Sequence, residues 1–225
     1  NSRSHALPRM GRMQVPAYAP VPGRSVTGVF PALAQPLRPR PTERPYPLPD
    51  FLRISPAPQG DIGQGAPGIP LTLSLELRDR RGVPLERAAV YIWHHDPQGW
   101  TIDFDGDELD AVTRMRGLQL SDEQGWVTFR TVYPGQYRDG SVPLYLQIYL
   151  HDGQWVTAHA DLCLQLPTQI DGPLRSIPLA LPLIQRAERP RFRAGAAAAE
   201  LRLSQLDFDA LAGGLRGHVR LDLAA

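Results

Sequence analysis

The densest group of potential metal ligands is the acidic run Asp103-Phe104-Asp105-Gly106-Asp107-Glu108, which is followed by Asp110. Closely spaced carboxylates are the ligands that calcium prefers, so the run is loosely similar to a calcium-binding loop. Its glycine stands at the wrong position for an EF-hand, and no glutamate closes the frame of such a loop. We therefore expect a solvated acidic loop here, with a loose divalent-cation site as the alternative.

Histidine is the second source of metal or acid–base chemistry. His94 and His95 are adjacent, and neighbouring side chains on a strand face opposite sides, so we do not expect both to enter one pocket. We expect each to be a structural histidine. His151 precedes an Asp-Gly pair, which is typical of a turn, and His159 lies on a predicted strand. A metal pair formed by these two would need a third ligand that the sequence does not identify.

The rest of the sequence excludes several kinds of chemistry. It contains no Gly-x-Ser-x-Gly elbow, P-loop or dinucleotide-binding fingerprint. All 24 basic residues are arginine, so no lysine is present to form a Schiff base. Cys163 is the only cysteine, which excludes an intramolecular disulfide, and its leucine neighbours are typical of a buried thiol. The net charge of +1 favours no nucleic-acid partner, and no apolar run is long enough to span a membrane.

Residues 1–50 contain 11 of the 24 prolines. Each proline removes a backbone donor and restricts the residue before it, so this density disfavours helix and central strand. We expect a long extended Pro-rich arm over residues 1–50 and a folded domain over residues 51–225. An arm of this length could lie on its own domain or reach a second subunit, and we expect self-association through it.

From about residue 70 the hydrophobic period becomes two. Leu71–Leu77 alternates between apolar and polar residues, which predicts a half-buried strand. Short strands separated by turns predict an all-β sandwich, with Ala194–Glu200 as the best candidate for a helix. Further strands are predicted at Val90–Trp93, Trp126–Val132, Leu144–Leu150, Trp155–Leu164, Leu201–Phe208 and Leu215–Leu223.

Tryptophans begin or end three of these predicted strands. We expect Trp93, Trp126 and Trp155 to pack in the core or between the sheets. The segment between Leu201–Phe208 and Leu215–Leu223 contains Ala212-Gly213-Gly214, which is a hairpin signal.

The order of short motifs between residue 42 and about residue 150 resembles the intradiol ring-cleavage dioxygenases, especially their secreted-type, single-chain branch. Ile92-Trp93-His94-His95-Asp96-Pro97-Gln98-Gly99 is similar to the family's Ile-Trp-His-Cys-Asp-Ala-x-Gly. The resemblance implies a β-sandwich of intradiol dioxygenase type. Its other motifs are Thr42–Tyr46, Arg53, Asp61-Ile62, Gly68–Leu71, Gly82–Leu85, Ala88–Val90, Arg116–Gln119, Asp122, Gly125–Phe129 and Tyr133–Tyr137.

The same resemblance implies a ferric centre held by two tyrosines and two histidines, and this chain departs from it. The four ligand positions read Thr101, Tyr137, Pro143 and Tyr145, and the family's nearby arginine falls on Gly140. A shift by one residue would place the histidines on leucines. Anionic tyrosinates and neutral imidazoles are what hold Fe(III), so we expect no iron and no other cofactor here. We expect the residual pocket to be lined by Trp100, Tyr137 and Tyr145.

These observations favour a non-catalytic protein that acts as a structural or assembly subunit. The assembly would be a homo-oligomer or filament built through the N-terminal arm. One alternative is a pseudo-subunit paired with a catalytic paralogue that retains the histidines. Others are a non-haem iron dioxygenase with altered metal ligation and a binding module that uses the old pocket. The first residue is Asn1 rather than Met, which together with the secreted-type resemblance leads us to expect a secreted, extracellular or periplasmic protein.

Overall fold

The computed structural model describes residues 33, 35–54, 60–99, 115–171, 175–184, 197–200, 206–209 and 214–224. These residues are mostly in strands, which confirms the predicted all-β fold. A short helix, α1, spans Leu48–Ile54. The strands are β1 Arg40–Pro47, β2 Pro70–Asp79, β3 Ala89–Trp93, β4 Arg116–Leu120, β5 Trp126–Val132, β6 Pro143–His151, β7 Trp155–Gln165, β8 Gln169–Asp171, β9 Ser176–Pro178, β10 Ala197–Glu200, β11 Leu206–Asp209 and β12 Gly214–Leu223.

Two sheets form the sandwich. One has the strand order β1-β7-β6-β3-β4, and β10 pairs in parallel with the second half of β7. The other has the order β11-β12-β2-β5, in which β12 and β2 are parallel and the remaining pairs are antiparallel. The antiparallel pairing of β11 with β12 confirms the hairpin predicted around the Ala-Gly-Gly segment. A separate small hairpin joins β8 to β9.

The core lies between the facing sides of these sheets. Along β2 every second residue, Leu71 to Leu77, is buried, because a strand points successive side chains to opposite faces. The same alternation on β6 sends Leu144, Leu146 and Ile148 into this core. Tyr145, between two of these residues, therefore points to the other face of its sheet, where the site described below lies.

Residues 35–47 of the proline-rich arm lie on the chain's own sandwich. Leu37 is 3% exposed, and its backbone bonds to Asp222 and Ala224 beside the end of β12. Residues 40–47 then form edge strand β1 against β7, with the regular pairing interrupted after Pro41. Proline is compatible with an edge because one side of an edge strand has no ladder partner. The boundary between residues 50 and 51 remains a prediction.

Helix is placed differently from the prediction. Residues 197–200 of the predicted helix Ala194–Glu200 form strand β10, because the backbone pairs with Leu162–Gln165 on the open edge of β7. Tertiary pairing thus overrides the helical preference of alanine. Helix occurs instead at α1, where Leu48 and Leu52 cover the outer face of the first sheet against Leu118 and neighbouring residues. No helix among the described residues is both long and apolar enough to cross a membrane.

Candidate functional site

The site begins where β3 and β6 lie side by side. Trp93 and Tyr145 are direct partners in the register of these strands. Their rings stack with centroids 4.2 Å apart and planes at 19°. Tyr145 is 1% exposed. Its ring is therefore buried under Trp93, on the face of the sheet that points away from the core.

His95 and Tyr137 complete an aromatic cluster with this stack. His95 follows the end of β3, and its ring lies 6.4 Å from Trp93 in an edge-on arrangement. A short hydrogen bond joins Nδ1 of His95 to the hydroxyl of Tyr137, and the two rings are perpendicular at 5.7 Å. Both side chains are buried. We call Trp93, His95, Tyr137 and Tyr145 the aromatic cluster.

His94 makes a separate set of contacts. Its Nδ1–H donates to the carbonyl of His95 at 2.7 Å, which leaves Nε2 to accept the hydroxyl of Thr131 at 2.8 Å. Burial lowers the pKa of His94 from 6.5 to about 4, so its ring is neutral near pH 7. As predicted, the adjacent histidines do not share a pocket, and His94 has a structural role with both nitrogens satisfied.

The loop that presents Tyr137 is held by close backbone contacts. A Cβ on Gly135 would lie 2.3 Å from the carbonyl oxygen of Pro97, so only glycine allows this approach. The backbone of Gln136 bonds to Pro182 and Ile184, which run back across the loop. The Tyr137 N–H donates to the Ser141 carbonyl, and this closes a turn. Backbone geometry therefore fixes where the phenol of Tyr137 points.

The structure brings together two of the predicted site residues and separates the others. Tyr137 and Tyr145 both belong to the aromatic cluster. Pro143 is the first residue of β6, is buried, and pairs with Gln165. Thr101 and Trp100 lie outside the described residues, as does the acidic run at 103–110.

The residues present do not fit a ferric ion. Pro143 has no side-chain donor atom, and the hydroxyl of Tyr137 is bonded to His95. Tyr145 lies under the ring of Trp93. Within the described part of the chain, no group of three His, Cys, Asp or Glu side chains could hold a metal ion. The described ligand positions thus supply two phenols: that of Tyr137, which is hydrogen-bonded to an imidazole, and that of Tyr145, which is stacked on an indole ring.

The remaining candidates have structural partners. His151 Nε2–H donates to the Arg87 carbonyl at 2.6 Å, and its Nδ1 accepts the Gly153 N–H, as expected of a turn residue. His159 contacts Asp161 at 3.6 Å, so the two histidines have different partners. Cys163 is buried, as predicted.

The prediction that the tryptophans pack in the core is wrong. Trp93 lies on the outer face of its sheet, and Trp126 lies against His218 at 4.6 Å between ring centroids. Trp155 is 43% exposed. The alternation of the strands explains the first two, because Ile92 and Val127 take the inward positions beside these tryptophans.

Neither Trp93, which was expected in the core, nor His95 was predicted from the sequence to be part of this cluster. For His95 a signal was present in the sequence. The signal was its departure from the family's Ile-Trp-His-Cys-Asp motif, where the corresponding residue is cysteine. Adjacency alone separates His95 from His94 but does not show that Tyr137, 42 positions later, is its partner. That contact depends on how the loop after β5 folds over the end of β3.

Comparison with known proteins identifies the family. A model of the dioxygenase family matches residues 49–171, which is more than half of the chain. Catechol 1,2-dioxygenase of Acinetobacter baylyi is 34% identical over 77 residues, or 34% of this chain. The match spans a quarter of that relative's length (25%).

A solved dioxygenase structure shows the same fold. A dioxygenase crystal structure superposes with a TM-score of 0.51 at 22% identity, covering 83% of this chain and 93% of that chain. An intradiol ring-cleavage dioxygenase from Tetranychus urticae has a TM-score of 0.47 at 20% identity, covering 83% and 93%. This chain belongs to the intradiol ring-cleavage dioxygenase family.

Proposed function

We propose that this chain is a non-catalytic member of its family and acts as a structural or assembly subunit. The observation that carries the proposal is the hydrogen bond between Tyr137 and His95. Of the family's ligand positions, Tyr137 is the one that keeps the expected residue in sequence, and its hydroxyl has a protein partner. Because Pro143 has no donor atom, the described positions cannot rebuild the family's pair of imidazoles. A family scaffold without that centre favours a role in assembly over catalysis.

The first experiment for this proposal is an activity assay. Purified chain, supplied with ferric ion, is assayed by oxygen consumption with catechol and with hydroxyquinol, substrates suggested by the names of similar proteins. The proposal predicts no consumption above the rate with ferric ion alone. Turnover that is lost in Tyr137→Phe would show that the chain is an enzyme.

The assembly half of the proposal assigns self-association to residues 1–32, because Leu33 already packs against the chain's own core. Residues 35–47 bind the chain's own sandwich through Leu37 and β1, and α1 covers the outer sheet face. Removal of residues 1–50 would therefore also remove Leu37 and Leu48 from the hydrophobic clusters. The informative truncation is the removal of residues 1–32, because it leaves these contacts in place.

Light scattering after size-exclusion chromatography tests this assignment. The full chain is expected to run as an oligomer, and the chain without residues 1–32 as a folded monomer with an unchanged circular dichroism spectrum. The chain without residues 1–50 is the comparison, and we expect it to be less stable because an edge strand is gone. A full-length monomer, or an oligomer that survives removal of residues 1–32, would overturn the assignment.

The cluster also favours a second candidate, an iron enzyme with altered ligation. His95 places an imidazole beside Tyr137 at a position where the family has none. Ferric binding with one imidazole and one phenolate would need further ligands to complete the coordination sphere. The activity assay distinguishes this candidate from the first.

A further inference from the structure

We propose that this chain has replaced the family's metal with a metal-free structural tie, the buried hydrogen bond between Tyr137 and His95. The proposal rests on the non-catalytic half of the proposed function and deepens it. Of the family's ligand positions, Tyr137 lies in the loop before β6, whereas Pro143 and Tyr145 lie on β6. A metal bound to these positions would therefore cross-link the loop to the strand. In this chain the hydrogen bond between the side chains of Tyr137 and His95 provides a comparable cross-link between two segments.

The backbone pairing shows which connection needs such a tie. Trp93 and Tyr145 are already joined, because β3 and β6 are neighbours in a hydrogen-bonded ladder. Tyr137 lies in the loop between β5 and β6, beyond the paired residues of either strand. Its side chain nevertheless reaches the segment that follows β3. The hydrogen bond to His95 thus links a loop to a strand end that no ladder joins.

The surroundings of the bond make it strong enough to act as a tie. Both residues are about 95% buried, each being 5% exposed, so water does not compete for the hydroxyl or for Nδ1. The rings of His95 and Tyr137 meet edge to face, and Trp93 also contacts His95 in an edge-on arrangement. Removing one partner would leave a buried polar atom on the other.

The same contacts explain why Tyr137 remains although the other ligand positions have changed. A tyrosine kept for iron would act as an anionic ligand, whereas this hydroxyl is hydrogen-bonded to an imidazole. On this account His95, which replaces the family's cysteine, and Tyr137 form one functional pair.

A double-mutant cycle tests the pair by urea unfolding of the full chain. Tyr137→Phe and His95→Leu should each raise the unfolding equilibrium constant roughly 5- to 150-fold. The double variant should be little worse than either single variant, because both remove the same bond. His95→Asn, which places an amide near the position of Nδ1, should recover part of the loss. Tyr91→Phe, on the outer face of the same sheet, is the control and should show no coupling to His95.

Metal dependence provides the second readout. The urea midpoint of the full chain is measured with EDTA and with ferric citrate, and both should leave it unchanged. A midpoint that rises with ferric citrate in wild type, but not in Tyr137→Phe, would overturn the proposal, as would additive effects in the cycle. The same measurements on the chain without residues 1–32 separate the effect of the hydrogen bond from any effect of oligomeric state. The proposed assembly can therefore fail while the tie is upheld, and the reverse also holds.

Discussion

Trp93 lies almost flat on Tyr145, with ring centroids 4.2 Å apart, and the two residues are direct partners across β3 and β6. The stack covers a phenol at a position that the motif order assigns to one of the family's histidines. A side chain that binds a metal must direct its donor atom at the ion. At this position the ring is instead part of a packed outer face.

We expect Trp93→Leu to lower the free energy of unfolding by about 2 kcal/mol, since it removes an aromatic stack and part of the cover over Tyr145. Trp93→Phe keeps a ring and should cost about 1 kcal/mol or less. Urea unfolding followed by circular dichroism measures both. Equal losses in the two variants would show that ring stacking contributes nothing here.

Gly135→Ala should be strongly destabilising, by about 3 kcal/mol or more, because its Cβ would overlap the backbone oxygen of Pro97. Gly82→Ala is the matched control. Gly82 has a φ of +78° but open space around it, so alanine there meets only conformational strain of about 1 kcal/mol. Thermal unfolding of the two variants checks the difference. A Gly135→Ala protein as stable as the control would contradict the close approach that positions Tyr137.

His94 should make the fold sensitive to acid. Its pKa is about 4 in the folded state and 6.5 when exposed, so the unfolded chain binds the proton more readily. Stability from this group is complete above pH 6.5 and is lost as the pH falls towards 4, by roughly 3 kcal/mol in total. Two neighbouring groups also affect this pKa in opposite directions, since His95 lowers it and Asp96 raises it.

Urea unfolding between pH 4 and pH 8 tests this dependence. His94→Gln should be less stable at pH 8, since two buried hydrogen bonds are disturbed, but should lose less stability on acidification. Burial also lowers the pKa of His218, so His218→Gln removes a separate contribution and should leave that of His94 in place. Parallel pH profiles for wild type and His94→Gln would show that His94 does not cause the acid sensitivity.

Tyr133→Phe should cost about 1 kcal/mol, because its buried hydroxyl donates to the Pro167 carbonyl at 2.6 Å. This bond connects the end of β5 to the segment after β7. Tyr149→Phe is the control, since its hydroxyl makes a longer bond of 3.3 Å to Gln147 in a less buried place. Guanidinium unfolding midpoints should fall more for Tyr133→Phe than for Tyr149→Phe.

The sequence predicts strands well where one face is buried. Leu71–Leu77 alternates in the sequence and lies within β2, because a two-residue period has one arrangement that buries all the leucines. Residues 197–200 were predicted to be helical but form β10. They pair with the edge of β7, and a local sequence pattern does not predict a pairing between segments so far apart in the chain. The backbone of Gln136 pairing with Pro182 and Ile184 could not be predicted for the same reason.

The candidate site was predictable in part. Motif order placed Tyr137, Pro143 and Tyr145 at the family's ligand positions, and the loss of donor atoms at Pro143 follows from residue type alone. The partnership of Tyr137 with His95 was not predictable, because it joins two loops through side chains. The only sequence signal was the cysteine-to-histidine departure at His95.

The central claim is that Tyr137 belongs to a protein tie and not to an iron centre. The most direct test is iron content, measured together with the visible absorption spectrum, on full-length protein after incubation with ferric citrate and gel filtration. We predict a colourless protein with far less than one iron per chain, and the same result for Tyr137→Phe. A coloured protein with about one iron per chain, whose absorption band disappears in Tyr137→Phe, would contradict the account.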